Sequence, residues 1–159
     1  MSVTDRLDRI ESIEAIRAMV ARYAIGADRR NDPEIMGPLF SEDAVWESEG
    51  FSRYVGRSAI AEGLAAIAAE RVLWTIHYMV SPLIELDMDG AGARCRWHLW
   101  ELATMRGEDG AVSDNWFGGW YDARLARTDD GWCFTSVLLD VRLTGRAEPA
   151  WDYKKDCRA

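Results

Sequence analysis

Residues 73–104 read LWTIHYMVSPLIELDMDGAGARCRWHLWELAT, and this stretch decides the fold. Its first half, Leu73 to Asp87, is rich in β-branched and aromatic side chains, which suit a pleated, half-buried strand. Asp89-Gly90 supplies a hairpin turn, and Ala93 to Thr104 returns beside the first run. Strand alternation puts His77 on one face with Thr75 and Met79, while Ile76, Tyr78 and Val80 take the other. Downstream, Gly107 to Gly110 form a loop before a strand from Val112 to Arg127. Asp130-Gly131 is a second hairpin signal, and Trp132 to Leu143 is the last strand. The result is a four-strand antiparallel meander.

Upstream the periodicity changes. Ile10, Ile13, Ile16, Met19 or Val20, and Tyr23 recur at steps of three to four, the spacing of one helix face. Ser12 is the expected cap of this helix, with Glu14 in its first turn. Asn31-Asp32-Pro33 reads as a stop and restart, with Asp32 capping a short helix that buries Ile35, Met36, Leu39 and Phe40. Val45 to Glu49 alternates like a strand, Gly50 turns the chain, and Phe51 to Val55 pairs back. Gly56-Arg57-Ser58 introduces a third helix to Glu70, with Ile60, Leu64 and Ile67 on one face. Helices that precede and interrupt an antiparallel meander predict an α+β fold: a strongly curved, mainly antiparallel sheet wrapped over N-terminal helices, with a pocket between the layers. A single domain is expected over residues 1–159, with 144–159 as a C-terminal tail.

Composition narrows the function. The 159 residues are 48% hydrophobic and 29% charged, in the globular range. A formal net charge of -8, with Arg29-Arg30 and Lys154-Lys155 the only adjacent basic pairs, argues against nucleic acid and anionic membrane surfaces as partners. The start, Met1 to Arg6, has no apolar run behind a basic region, and the Ala-rich stretch Ala59 to Ala69 is interrupted by Glu62 and Gly63. Cys95, Cys133 and Cys157 are an odd number without close spacing, so free thiols and a cytoplasmic location are expected rather than disulfides or a thiolate zinc site. No metal and no cofactor is expected, since no ligand spacing and no phosphate-cradling or nucleophile-elbow motif is present.

Histidine is scarce, and both His77 and His98 fall within predicted strands. Asp28 closes the first long helix, where its charge faces the negative end of the helix dipole and calls for a compensating partner. An imidazole would serve. Three stretches, Ala21-Arg22-Tyr23-Ala24-Ile25-Gly26-Ala27-Asp28, Leu39-Phe40-Ser41-Glu42-Asp43-Ala44-Val45-Trp46 and Tyr54-Val55-Gly56, precede His77. Together they resemble the SnoaL-like branch of the nuclear-transport-factor-2-like superfamily over residues 10 to 143. The spacing of Asp28 and His77 resembles the dyad of scytalone dehydratase, hexachlorocyclohexane dehydrochlorinase and bile-acid 7α-dehydratase.

The resemblance implies a cone-shaped α+β barrel, cofactor-free elimination and assembly as a homo-oligomer, a trimer or a dimer. In such a dyad the carboxylate fixes the imidazole tautomer, and the other ring nitrogen takes a proton from substrate carbon. It implies a substrate-oxygen contact for Tyr23, although the dehydrochlorinase has Lys at that place. It implies substrate contacts for Trp46, for Arg142 on the last strand and for a second histidine, His98. A two-residue turn at Asp89-Gly90 sets His77 opposite Leu102, so both histidines share a face on the order of 13 Å apart; a one-residue register change would turn His98 outward. The ketosteroid-isomerase base falls at Ser48, which disfavours that enzyme's carboxylate mechanism. Glu47 and Glu101 sit on strands without a matching partner. Eight tryptophans, shared among core, pocket and subunit contacts, suit an apolar ring as ligand.

The expected function is therefore a cofactor-independent, dehydratase-type lyase acting on a small hydrophobic, ring-containing molecule. An isomerase using the same base is the close variant. A non-catalytic ligand carrier, or an accessory subunit like those of ring-hydroxylating dioxygenases, is the alternative. The tail, with Trp151 and Tyr153 beside Lys154-Lys155, fits either a pocket mouth or a neighbouring subunit.

Overall fold

The computed structural model describes residues 2–49 and 52–152. Helix α1 spans Val3–Asp28 and starts well before both the expected cap at Ser12 and the apolar periodicity that begins at Ile10. Its cap is Ser2, in a reciprocal capping box with Asp5, and not Ser12, which is buried mid-helix. The first turns bury little: Val3, Leu7 and Ile10 are exposed, and Asp8 pairs with both Nη atoms of Arg127. Asp32 caps the short α2 (Pro33–Met36) through the Glu34 amide, as its place before Pro33 predicts. Arg30 and Asn31, both left-handed, make the turn and reach back to carbonyls of Leu64, Ala68 and Ala69 in α3 (Arg57–Arg71).

The six strands are β1 (Phe40–Ser48), β2 (Ser52–Val55), β3 (Val72–Leu86), β4 (Gly92–Arg106), β5 (Val112–Thr128) and β6 (Gly131–Arg146). Phe40, expected in the second helix, opens β1 instead and is fully buried. The expected turn and strand start at Gly50 and Phe51 lie outside the described residues. The sheet order is β2-β1-β6-β5-β4-β3, antiparallel throughout except where β1 lies parallel to β6. This α+β sheet is open, with β2 and β3 at its edges. Helix α1 packs chiefly against β3 and so covers one of those edges.

Strand register fixes the inner face. Pairs Ala93 with Leu125, Cys95 with Ala123, and Trp97 with Tyr121 are all buried. Ile16, Met19, Val20 and Tyr23 of α1 fill the space above them together with Phe40 and Phe134. The last strand, expected to end at Leu143, runs on: β6 reaches Arg146, and the tail then folds back. Ala147 N–H donates to the Asp114 carbonyl, Trp151 N–H donates to the Asp114 carboxylate at 2.8 Å, and the Trp151 ring meets Trp74 edge-on. Tyr153, Lys154, Lys155 and Cys157 lie outside the described residues. No helix among the described residues is long and apolar enough to cross a membrane.

Candidate active site

Beyond the Trp97–Tyr121 pair the inner face changes character. The next rows towards the other end of the sheet are Met79–Leu99–Gly119, His77–Glu101–Phe117 and Thr75–Ala103–Asn115. Polar groups thus gather on a face that is apolar elsewhere. Helix α1 ends over these rows, and Asp28 reaches β3. Its Oδ1 accepts the backbone N–H of His77 at 2.7 Å and lies 2.9 Å from His77 Nδ1. Because β3 is an edge strand, that amide would otherwise be left without a partner. The unfavourable charge at the helix end is thereby compensated twice, as its position in the sequence demands. A carboxylate can only accept, so Nδ1 carries the ring hydrogen towards Asp28 and the Nε2 edge faces the sheet. The Asp28 side chain is 31% exposed and that of His77 10%, which sets the pair at a rim and not in the deep interior.

Glu101 is the third member, and sequence reasoning passed over it. Its Oε1 lies 3.5 Å from His77 Nε2 and accepts the Thr75 hydroxyl at 3.1 Å. The signal that finds it is pairing: whichever residue stands opposite His77 on β4 shares its face. The two-residue turn predicts Leu102 there. Register near the turn does match that expectation, with Leu86 opposite Ala93 and Leu83 opposite Arg96. A bulge then intervenes between Val80 and Leu83, where Ser81 has φ +56° and Pro82 has no N–H to give the ladder. Beyond it His77 stands opposite Glu101, and Val80 opposite His98.

The same shift overturns the expected placement of His98. It is exposed on the outer face, in the row Val80–His98–Trp120–Asp140, so the two histidines do not share a face. Arg142 is also on that side. It pairs with Asp140 at 2.6 Å and lies over the Trp120 ring, 5.3 Å from its centre, instead of reaching the dyad. Glu47, the other acid considered, faces solvent beside Arg53.

Tyr23 and Trp46 are brought together, but with each other. The Trp46 indole N–H donates to the Tyr23 hydroxyl at 2.8 Å, and both side chains are almost fully buried. Tyr23 meets Phe40, Trp97, Tyr121 and Phe134 edge-on. Burial pushes its phenol well above the ordinary value; hydrogen bonding with Trp46 and Tyr121 opposes this, and the charge of Glu101 adds to it. The Tyr121 phenol is pushed up likewise, by burial first and then by Tyr23 and Glu101. Both phenols therefore stay protonated and neutral at neutral pH. The aromatic interior is packed where an enclosed pocket was expected. Two surface depressions, of about 460 and 320 Å³, flank the start of α3 around Arg57 and Ser58 and include none of these residues. Among the described residues no cluster of His, Cys, Asp and Glu is arranged to hold a metal ion.

This arrangement can hold an imidazole in one tautomer and move a proton at Nε2 beside a second carboxylate. Comparison with known proteins adds the family context. The model of the SnoaL-like domain matches residues 8–137. Among solved structures, a type 2 hexachlorocyclohexane dehydrochlorinase, LinA, superposes with a TM-score of 0.84 at 21% identity, covering 95% of this chain and 99% of that one. LinA type 3 from Novosphingobium barchaimii LL02 gives 0.83 at 19% identity, covering 94% and 99%. A candidate scytalone dehydratase from Novosphingobium aromaticivorans DSM 12444 gives 0.76 at 21% identity, covering 99% of both chains. At these identities the likeness is one of fold. No curated protein matches the sequence.

Proposed function

The chain belongs to the SnoaL-like domain family, and we propose that within it this protein is a cofactor-independent lyase that eliminates water from a small, hydrophobic, ring-containing molecule. The observation that carries the reading is the pairing of Asp28 with His77, 2.9 Å apart across 49 residues of sequence. His77 takes the substrate's proton at Nε2, and Asp28 holds the ring in the tautomer that allows it. Hydrophobic residues beside the dyad, Met79, Leu99 and Phe117, give an apolar ring a surface to lie on. Neutral Tyr23, its hydroxyl held by Trp46 in the packed core, supports the floor of the site from behind and does not touch the substrate. LinA and the candidate scytalone dehydratase, both named for eliminations, support the reaction class through their shared fold.

The working unit on this reading is a homo-oligomer, a trimer or a dimer, joined through the outer face of the sheet. Tyr78, Val80, Trp100 and Leu143 stand half-exposed there, an apolar group that a subunit contact would cover. The test of function compares wild type, Asp28→Asn and His77→Ala on a panel of cyclic β-hydroxyketones, following the enone product by absorbance. Both variants are expected to lose about 10²- to 10⁴-fold in kcat/KM. Equal turnover by all three would overturn the reading and leave a non-catalytic ligand carrier or accessory subunit in its place.

A further inference from the structure

Arg30 and Asn31 stand where glycine would be least strained. They follow α1 directly, and both are left-handed, with φ of +61° and +55°. Asparagine tolerates that conformation, but an arginine there is uncommon and costs conformational energy. Glycine is the ordinary residue just past a helix end, so the two side chains must supply what offsets the strain. Both reach the same helix. Asn31 Nδ2 donates to the Leu64 carbonyl at 3.1 Å, and Arg30 Nη2 donates to the carbonyls of Ala69 at 3.2 Å and Ala68 at 3.4 Å.

Ala68 and Ala69 lie in the last turn of α3, where carbonyls run out of helical donors and the helix dipole is negative. Arg30 itself follows the negative end of α1. Its guanidinium therefore bridges two helix ends that each favour a cation, and it does so on the route to the dyad. Helix α3 ends at Arg71 and β3 begins at Val72 with no loop between them, so the end of α3 sets the start of the strand that carries His77. Asp28 stands two residues before Arg30 on the other arm. The arms meet again where Asp28 bonds the His77 amide and ring. Strand β3 gains from such a support, because it is an edge strand and its pairing with β4 shifts register between Val72 and Trp74.

We infer that Arg30 and Asn31 are positioning residues: by tying the end of α1 to the end of α3, they hold the Asp28 carboxylate against His77. The catalytic consequence rests on the proposed role of Asp28 and His77 as the base, whereas the tie itself does not. An imidazole that loses its carboxylate can turn about its side-chain torsions and present Nε2 off line. Misplacement of a reacting atom by about 1 Å is felt in the chemical step, while the apolar surface that binds a ring is left intact. The expected signature is thus a fall in kcat with KM kept.

The turn's own geometry supplies the variants. In Arg30→Gly combined with Asn31→Gly the backbone keeps a conformation it prefers, while the side-chain bonds are lost. Asn31→Asp is the isosteric control: it keeps the size and the tolerance of positive φ but sets an oxygen against the Leu64 carbonyl. Hydrogen–deuterium exchange of the full-length proteins is read by NMR at the His77 amide and, for reference, at the Tyr121 amide in mid-sheet. The double glycine variant should exchange about 10-fold faster at His77 with Tyr121 unchanged, and Asn31→Asp should move the same way by less. An unchanged His77 rate, or an equal rise at both amides, overturns the inference.

On a cyclic β-hydroxyketone the double variant should lose about 10- to 100-fold in kcat, with KM within about twofold of wild type. Arg30→Lys, which keeps a donor and the charge, should lose less than Arg30→Gly. Arg29→Ala, at the exposed neighbour without a bonded partner among the described residues, should leave both readouts at wild-type values. Faster exchange at His77 with an unchanged kcat overturns the positioning role. If wild type itself turns over no member of the panel, the elimination reading fails, and the amide rates still decide whether the turn holds Asp28 in place.

Discussion

His77 and His98 lie on neighbouring strands of one sheet, yet their surroundings differ in every respect that matters to chemistry. His77 faces inward, almost covered, with a carboxylate at Nδ1 and another near Nε2. His98 faces outward among Val80, Trp120 and Arg96, and it has no acid partner among the described residues. Residue type alone does not separate them. Face does, and face is decided by the bulge at Ser81 and Pro82. The comparison teaches that a histidine becomes a candidate catalyst here through what the opposite strand and the end of a helix bring to it.

The strongest way to break the contrast is through turnover. His77→Ala and Asp28→Asn should each cost about 10²- to 10⁴-fold in kcat/KM on a cyclic β-hydroxyketone, whereas His98→Gln should leave it within error of wild type. A comparable loss in His98→Gln would return that residue to the site. The second contrast is in stability. Phe134→Ala, at the fully buried centre of the inner face, should lower unfolding free energy by about 3–5 kcal/mol in urea titrations. Leu143→Ala on the outer face should lower it by no more than about 0.5 kcal/mol in the isolated chain.

The third concerns assembly. Trp100 stacks on Trp116 on the outer face, with Gly118 beneath it leaving room for the ring. Trp100→Glu should shift the sedimentation coefficient to a smaller species, and an unchanged value would remove this face as the subunit contact. The smallest effect is electrostatic. Arg94 and Arg96 hold the Asp122 carboxyl below the usual carboxylate range on that same face, Arg94 most strongly. A carboxyl whose pKa is lower in the folded chain stabilises fully above the unfolded value, near 4, and loses that contribution as pH falls through the folded one. Thermal melts should therefore show Asp122→Asn less stable than wild type at neutral pH, by under about 1 kcal/mol for so exposed a pair, with the gap narrowing as pH falls below the unfolded value.

Much of this architecture is legible in residue order. The Asp-Gly pairs mark the two hairpins, Asp32-Pro33 marks the restart after α1, and Asp28 with His77 is visible as a strained acid seeking an imidazole. The starting point of α1 was hidden because its first turns pack against little: Val3, Leu7 and Ile10 keep the helical spacing but stay exposed, and burial begins only at Ser12. Glu101 was hidden for a different reason. Its partnership is set by register, and register by an irregularity in mid-strand whose only trace is Pro82 in an otherwise extended run. Tyr23 and Trp46, expected separately as a substrate-oxygen contact and a pocket-lining ring, are packed against each other in the core, since a periodic stripe cannot tell a residue that lines a space from one that fills it. Arg142 and His98 fell to the outer face because an error of one residue in an alternating strand reverses the side.

Asp28 also acts on the backbone, and this carries a cost for any attempt to dissect the site. By accepting the His77 amide it seals a point on an edge that could otherwise recruit a strand from another molecule. Replacement by Asn keeps an acceptor there, whereas replacement by Ala leaves the amide open to solvent. Hydrogen–deuterium exchange at that one amide should therefore be slow in the first variant and fast in the second, and the second is the one to watch for fibrillar self-association. A loss of activity in the alanine protein would mix chemistry with a loosened margin of the sheet.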